Sequence, residues 1–175
     1  MLFMVLAMAV TPEEKIKVEA LYEEYDRLMY YVASRILHSH EDVEDAVMES
    51  WIRIIRYLDK INEVICPQTK SFIVIIVERI SINIYNKNKK NRDNQIDIDN
   101  CEKSPFFSTM DSELSDSETY ADLKKIQKKY GEVLILYYMH EMSVKEISQI
   151  VGVSVDAVNK RLQRGRELIK QAWCR

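Results

Sequence analysis

The chain has 175 residues, 25 Lys and Arg against 28 Asp and Glu, and a formal net charge of −3. Leu, Ile, Val and Phe together number 51, enough to build a core and too many for a disordered chain. Glycine numbers 3, where average usage would give about 12, and proline also numbers 3. That scarcity argues against β-sandwiches, barrels and Rossmann or P-loop enzymes, whose tight turns need glycine. An all-α fold is what remains. Gly131, Gly152 and Gly165 lie too far apart to cradle a phosphate. Cys66, Cys101 and Cys174 are odd in number and widely separated, which fits neither a disulfide framework nor a Cys-x-x-Cys metal site and suits a reducing cytoplasm.

The opening MLFMVLAMAV is apolar but too short to span a bilayer, and no basic flank precedes it. No later segment approaches eighteen uncharged apolar residues, so no membrane insertion is expected. Thr11-Pro12-Glu13-Glu14 then reads as a capped helix start, with Thr at N-cap, Pro at N1 and Glu at N3. Leu21, Tyr25, Leu28, Met29, Val32 and Ile36 keep helical spacing behind it. Ser39 or His40 caps a second helix, whose Val43, Ala46, Val47, Trp51, Ile54, Ile55 and Leu58 form its apolar stripe. The acidic residues at its start, Glu41, Asp42, Glu44, Asp45 and Glu49, suit the positive end of a helix dipole.

SFIVIIVERISINIY is rich in β-branched residues and alternates at Ile80, Ile82 and Ile84, as a strand would. Ile73, Val77, Ile80 and Ile84 also fit a helix, and no partner strand exists nearby, so a helix is expected. Arg79, Asn83, Asn86 and Lys90 repeat the helical spacing on a neighbouring stripe. Between Arg79 and Arg92 lie five basic residues and no acidic one. Taken alone this reads as a solvated helix end, where cations are favoured.

Charge divides the chain. Residues 1–92 carry 13 basic and 14 acidic side chains, residues 93–122 one (Lys103) against nine, and residues 123–175 carry 11 against 5. The middle stretch, which includes SPFFSTMDSELSDS, has no helical period and reads as a flexible acidic linker between two small helical domains, 11–92 and 123–175.

The second domain holds helix-turn-helix grammar in SVKEISQIVGVSVDAVNKRLQRGR. Ser143 and Glu146 make a capping box, Gly152 ends the first helix, and Ser154 caps the second. Val155, Val158, Leu162 and Gly165 fall on one face of that second helix; Asp156, Asn159, Lys160, Gln163 and Arg164 fall opposite. Asn and Gln suit adenine edges, Arg and Lys suit guanine, and the major groove displays both. Arg161 and Arg166 flank the apolar stripe, as phosphate contacts would. DNA binding is therefore expected. Tyr25, Tyr137 and Tyr138 are assigned to the core rather than to base stacking. His38 and His40, two residues apart, do not share a helix face, and no catalytic nucleophile has a partner pattern, so neither metal, cofactor nor enzymatic activity is expected.

The whole pattern resembles a bacterial RNA polymerase sigma factor of the extracytoplasmic-function group, over most of residues 20–92 and 121–173. DVEDAVMESWIRII is similar to that family's second-region signature, and KSFIVIIVERISIN to the helix that follows it. GEVLILYYMHEMSVKEISQIVGVSVDAVNKRLQRGRELI resembles the fourth region nearly throughout. Met48, Ser148, Ala157 and Gly165 depart from the usual residues, and the Asn expected near Arg79 is absent. The resemblance implies core RNA polymerase and promoter DNA as partners, with an anti-sigma protein as regulator. It implies polymerase docking through Asp42, Asp45, Glu49 and Trp51, and minus-ten contacts from Arg79, Asn83, Asn86, Lys87 and Lys90. A loop around Asp59–Lys70 would capture a flipped base, with Asn62, Glu63 and Gln68 as candidate partners. Asn159, Lys160, Gln163 and Arg164 would read the minus-thirty-five element. Two other readings remain open from the residues: a helix-turn-helix repressor or activator with an N-terminal sensing or dimerisation domain, and a helical enzyme using buried carboxylates.

Overall fold

A computed structural model describes residues 2–92 and 127–173; the side chains at 90–92 and 172–173 lie outside that description. The expected linker, 93–122, falls outside the described residues. Helices are the only regular elements among the described residues, and the chain divides into two compact units, Met1–Ser108 and Thr109–Arg175.

The first unit contains α1 (Leu2–Leu6), α2 (Pro12–Ser34), α3 (His40–Arg56), a single 3-10 turn (Leu58–Lys60) and α4 (Pro67–Arg92). Helices α2, α3 and α4 each pack against the other two. The opening apolar segment joins this unit: α1 lies on α2 and α3, with Val5 and Ala9 buried. The start of α2 is as its residues dictate. Glu14 N–H donates to Thr11 Oγ1 at 3.1 Å, and the Glu14 carboxylate accepts from the backbone of Val10 at 2.8 Å and Thr11 at 3.1 Å.

Those two backbone bonds hold the Glu14 carboxyl below its ordinary value of 4.5. The ionised form is favoured in the folded chain, so its contribution is present above the unfolded value and is lost as pH falls through the lowered one. Glu14→Gln is accordingly expected to melt below wild type at neutral pH, with the two melting curves converging in acid. Thermal melts from pH 7 down to pH 3 read this directly.

Helix α4 settles the strand-like appearance of SFIVIIVERISINIY in favour of a helix. Every residue from Ser71 to Glu78 is buried, as are Ile80, Ser81 and Ile82. A helix apolar on all faces must be enclosed on all faces, and that removes the amphipathic period by which helices are usually read. Trp51 is fully buried, stacked on Tyr22 at 5.4 Å between ring centroids, with Nε1 donating to Asp26 Oδ1 at 3.4 Å.

In the second unit α5 (Lys128–Tyr138), α6 (Val144–Val151) and α7 (Val155–Trp173) pack mutually. The core is Val133, Leu134, Ile135, Leu136, Met142, Ile147, Ile150, Val151, Val158 and Leu162. Val155, expected on the apolar face, is 43 % exposed instead, because it occupies the first position of α7 ahead of the turn that packs. Tyr138 likewise leaves the expected core and is 58 % exposed, while Tyr25 is buried as expected.

Gly165 lets α7 lie close to α5. A methyl group there would stand 2.8 Å from Leu134 Cδ1 and 3.1 Å from Cγ, and Leu134 is itself buried. Alanine regains about 0.5–1 kcal/mol of helix propensity against that crowding, so Gly165→Ala is expected to leave the melting temperature nearly unchanged. Gly165→Val, with two further carbons to place, should destabilise the second unit by about 1–3 kcal/mol, measured by denaturant unfolding.

Candidate nucleic-acid interface

The geometry of the second unit is set by local chemistry. Ser143 Oγ accepts from Glu146 N–H at 3.3 Å while the Glu146 carboxylate accepts from Ser143 N–H at 2.8 Å, which starts α6. Gly152 stops it at φ 74°, ψ 31°, a left-handed conformation that costs glycine little. Ser148 Oγ then donates to the Val153 carbonyl at 2.7 Å, tying the turn down. The Ser148 hydroxyl therefore has a specific use in fixing the turn. Ser154 Oγ accepts from Ala157 N–H at 3.2 Å and launches α7.

Behind α7, Val158 and Leu162 are sealed in the core; in front, Asn159, Lys160, Gln163 and Arg164 are all exposed. Glu167 gathers two of them: Arg164 Nη1 donates to Oε2 at 2.9 Å and Gln163 Nε2 to Oε1 at 3.3 Å. Surface pairs of this kind hold by about 0–1 kcal/mol, so both side chains can exchange Glu167 for a base edge. The two flanking arginines differ from this set. Arg161 is half-buried and engaged within the fold. Arg166 Nε donates to Tyr138 Oη at 2.9 Å, and its guanidinium lies 5.5 Å and 5.7 Å from the Tyr137 and Tyr138 rings. Nothing in the local sequence announces that contact, since the partners are 28 residues apart.

In the first unit, Asn83 and Lys87 on the second half of α4 are exposed and Asn86 is half-buried. Arg79, at the border of the enclosed half, is half-buried and engaged by neighbours. The Lys90 side chain lies outside the described residues. Ahead of α4, Asn62 and Glu63 are exposed, and so is Gln68, which the structure places in the first turn of α4 rather than in the loop. On α3, Asp45 and Glu49 are exposed, and Glu49 pairs with Arg53 at 3.1 Å. Two residues expected beside them behave otherwise. Asp42 accepts from Asn88 Nδ2 at 3.0 Å on each oxygen, latching the start of α3 to the far end of α4. Trp51 has no surface to offer: as a large aromatic on the apolar stripe it fills the core, which corrects its assignment to a docking face.

A helix-turn-helix with an exposed Asn/Lys/Gln/Arg face, in a chain with a second helical unit bearing an Asn- and Lys-rich helix, defines a modular DNA-binding protein. The family comparisons are more specific. Residues 21–91 match the model of sigma-70 region 2, and residues 123–169 match that of sigma-70 region 4. The chain belongs to the sigma-70 family, in its extracytoplasmic-function group. It is 27 % identical over 143 residues to the RNA polymerase sigma factor SigV of Bacillus subtilis (strain 168), covering 81 % of each chain. It is 24 % identical over 159 residues to the ECF RNA polymerase sigma factor SigW of the same organism, covering 84 % of this chain and 83 % of that one. With the sigma factor YlaC it shares 25 % over 158 residues, 88 % of this chain and 90 % of that one. The chain is thus a promoter-recognising sigma factor, a non-enzymatic class whose partners are core RNA polymerase and promoter DNA. The region 2 match gives the N-terminal unit an identity that the repressor reading would have assigned to sensing or dimerisation. Among the described residues no helix is long and apolar enough to cross a membrane.

Proposed function

We propose that residues 11–92 dock on the polymerase and engage the minus-ten element, that 93–122 tether the modules, and that 123–175 read the minus-thirty-five element. Asp45 and Glu49 present the acidic face for a basic partner, with Asp42 holding α3 in place beside them. Asn83, Asn86, Lys87 and Lys90, bordered by Arg79, face the minus-ten DNA, and Asn62, Glu63 and Gln68 surround a base flipped from the non-template strand. Asn159, Lys160, Gln163 and Arg164 read base edges, while Arg161 and Arg166 lie nearer the phosphates. The chain carries no chemistry of its own in this reading. It works in the cytoplasm with its polymerase and is held in check by an anti-sigma protein.

The observation that carries this is the four adjacent polar side chains exposed on α7, directly opposite a sealed Val158–Leu162 seam. A net charge of −3 disfavours phosphate contact by the free chain, so DNA binding should depend on polymerase. Run-off transcription with core polymerase, with and without this chain, on DNA upstream of its own gene is the test. Product that appears only with the chain supports the proposal. Tight, salt-sensitive binding of the isolated chain to a palindrome, with no holoenzyme formed, would return the repressor reading.

A further inference from the structure

The segment from Ile61 to Cys66 belongs to no helix, yet its backbone is held at close intervals. Lys17 Nζ, on α2, donates to the carbonyl of Leu58 at 2.9 Å and also to that of Ile61. Tyr25 Oη, two turns further along α2, donates to the Val64 carbonyl at 2.8 Å. From the other side, Thr69 Oγ1 in the first turn of α4 donates to the Glu63 carbonyl at 2.6 Å. Four carbonyls between residues 58 and 64 are therefore claimed by three side chains. Tyr25 is 3 % exposed and Thr69 2 %, so neither can touch DNA, and the Lys17 ammonium is committed to the chain's own carbonyls. Asn62 and Glu63, between the tied positions, stand exposed.

We infer that Lys17 and Tyr25 are positioning residues for base capture: they fix the loop so that Asn62 and Glu63 face outward before DNA arrives. The inference rests on the proposed role of this loop in holding the flipped base. Extruding a base costs a few kcal/mol of stacking and pairing, which capture must return. A loop already in its binding conformation spends none of that return on ordering itself. A lysine on the core-facing stripe of α2, in line with Leu21 and Tyr25 at i, i+4 and i+8, pairs with no carboxylate among the described residues. Two backbone carbonyls of a capture loop give its charge a use.

The test uses assembled holoenzyme and a single-stranded minus-ten oligonucleotide taken from a randomised library by wild-type enrichment. Each position is made abasic in turn, and the ratio of intact to abasic affinity is measured. Wild type should show a large ratio at one position, and Asn62→Ala with Glu63→Ala and Gln68→Ala should abolish it. Tyr25→Phe, which removes one hydroxyl, should shrink that ratio about fivefold, the worth of one hydrogen bond. Lys17→Met, which removes two bonds, should shrink it further. Minus-thirty-five duplex affinity and core association should stay at wild-type values. Hydrogen exchange of the free chain provides a second measurement: amides 62–66 should exchange faster in both variants, with α3 and the enclosed half of α4 unchanged. A ratio preserved in Tyr25→Phe and Lys17→Met but abolished by the loop substitutions overturns the positioning role, as does an equal loss for intact and abasic strands. No sensitive position in wild type, or a ratio that survives the loop substitutions, defeats the base-capture reading instead. Unchanged exchange at 62–66 then defeats the positioning inference independently.

Discussion

Arg164→Ala is expected to cut transcription from a minus-thirty-five-dependent promoter by about tenfold to a hundredfold while leaving holoenzyme assembly intact. A bidentate arginine contact with a guanine edge discriminates by about 1–3 kcal/mol, and its loss is a loss of recognition rather than of fold. The structure supports that separation. The Arg164 side chain is 54 % exposed, and among the described residues it is tied only by the surface pair with Glu167 at 2.9 Å. Alanine is a better helix former, so the second unit should melt where wild type does. Promoters with single-base changes in the minus-thirty-five element complete the measurement. Wild type should discriminate among them, Arg164→Ala should cease to do so at one position, and Asn159→Ala at another. Arg166→Ala should behave differently. Its guanidinium bridges α7 to Tyr138 of α5, so its removal should lower stability slightly and weaken every sequence alike. A uniform loss with Arg164→Ala would place that residue on phosphate and leave base reading to its neighbours.

Trp51→Ala should abolish holoenzyme assembly by a different route. Removing a buried tryptophan costs about 3–5 kcal/mol in transfer and cavity terms, a large part of the roughly 5–15 kcal/mol that holds a domain together. Here the loss also removes the Tyr22 stack and leaves Asp26 without its indole donor. Melting should therefore fall steeply, with Trp51→Phe intermediate. Asp45→Lys combined with Glu49→Lys should give the converse result: a melt lowered only slightly, by loss of the surface Glu49–Arg53 pair, and lost polymerase association, because both side chains are exposed and neither supports the core. Circular dichroism melts beside co-purification with core polymerase separate the two cases. A Trp51→Ala chain that melts like wild type yet fails to assemble would return the tryptophan to the interface.

How much of the structure is legible in the residues follows the range of the forces involved. The caps at Thr11 and Ser143 and the left-handed Gly152 close within three or four residues, so composition and spacing suffice to find them. The exposed face of α7 is equally local, because helical winding alone puts Asn159, Lys160, Gln163 and Arg164 together. Side chains that are both apolar and polar gave less. Trp51 and Tyr138 each fit a core or a surface, and only the packing of a second helix decides between them. The Lys17, Tyr25 and Asn88 contacts join residues separated by 41, 39 and 46 positions, beyond any motif. The enclosed half of α4 is ambiguous in sequence for another reason: Ile and Val on every side erase the periodicity that distinguishes helix from strand.

That same helix has an evolutionary corollary. Its 26 residues form a rod about 39 Å long in which Ser71–Glu78 are enclosed, whereas Asn83 and Lys87 meet solvent. Substitutions at exposed positions such as Asn83 and Lys87 are nearly free of a folding penalty, so, if this face reads DNA as proposed, lineages can drift to new regulons by exchanging a few polar residues on an unaltered scaffold.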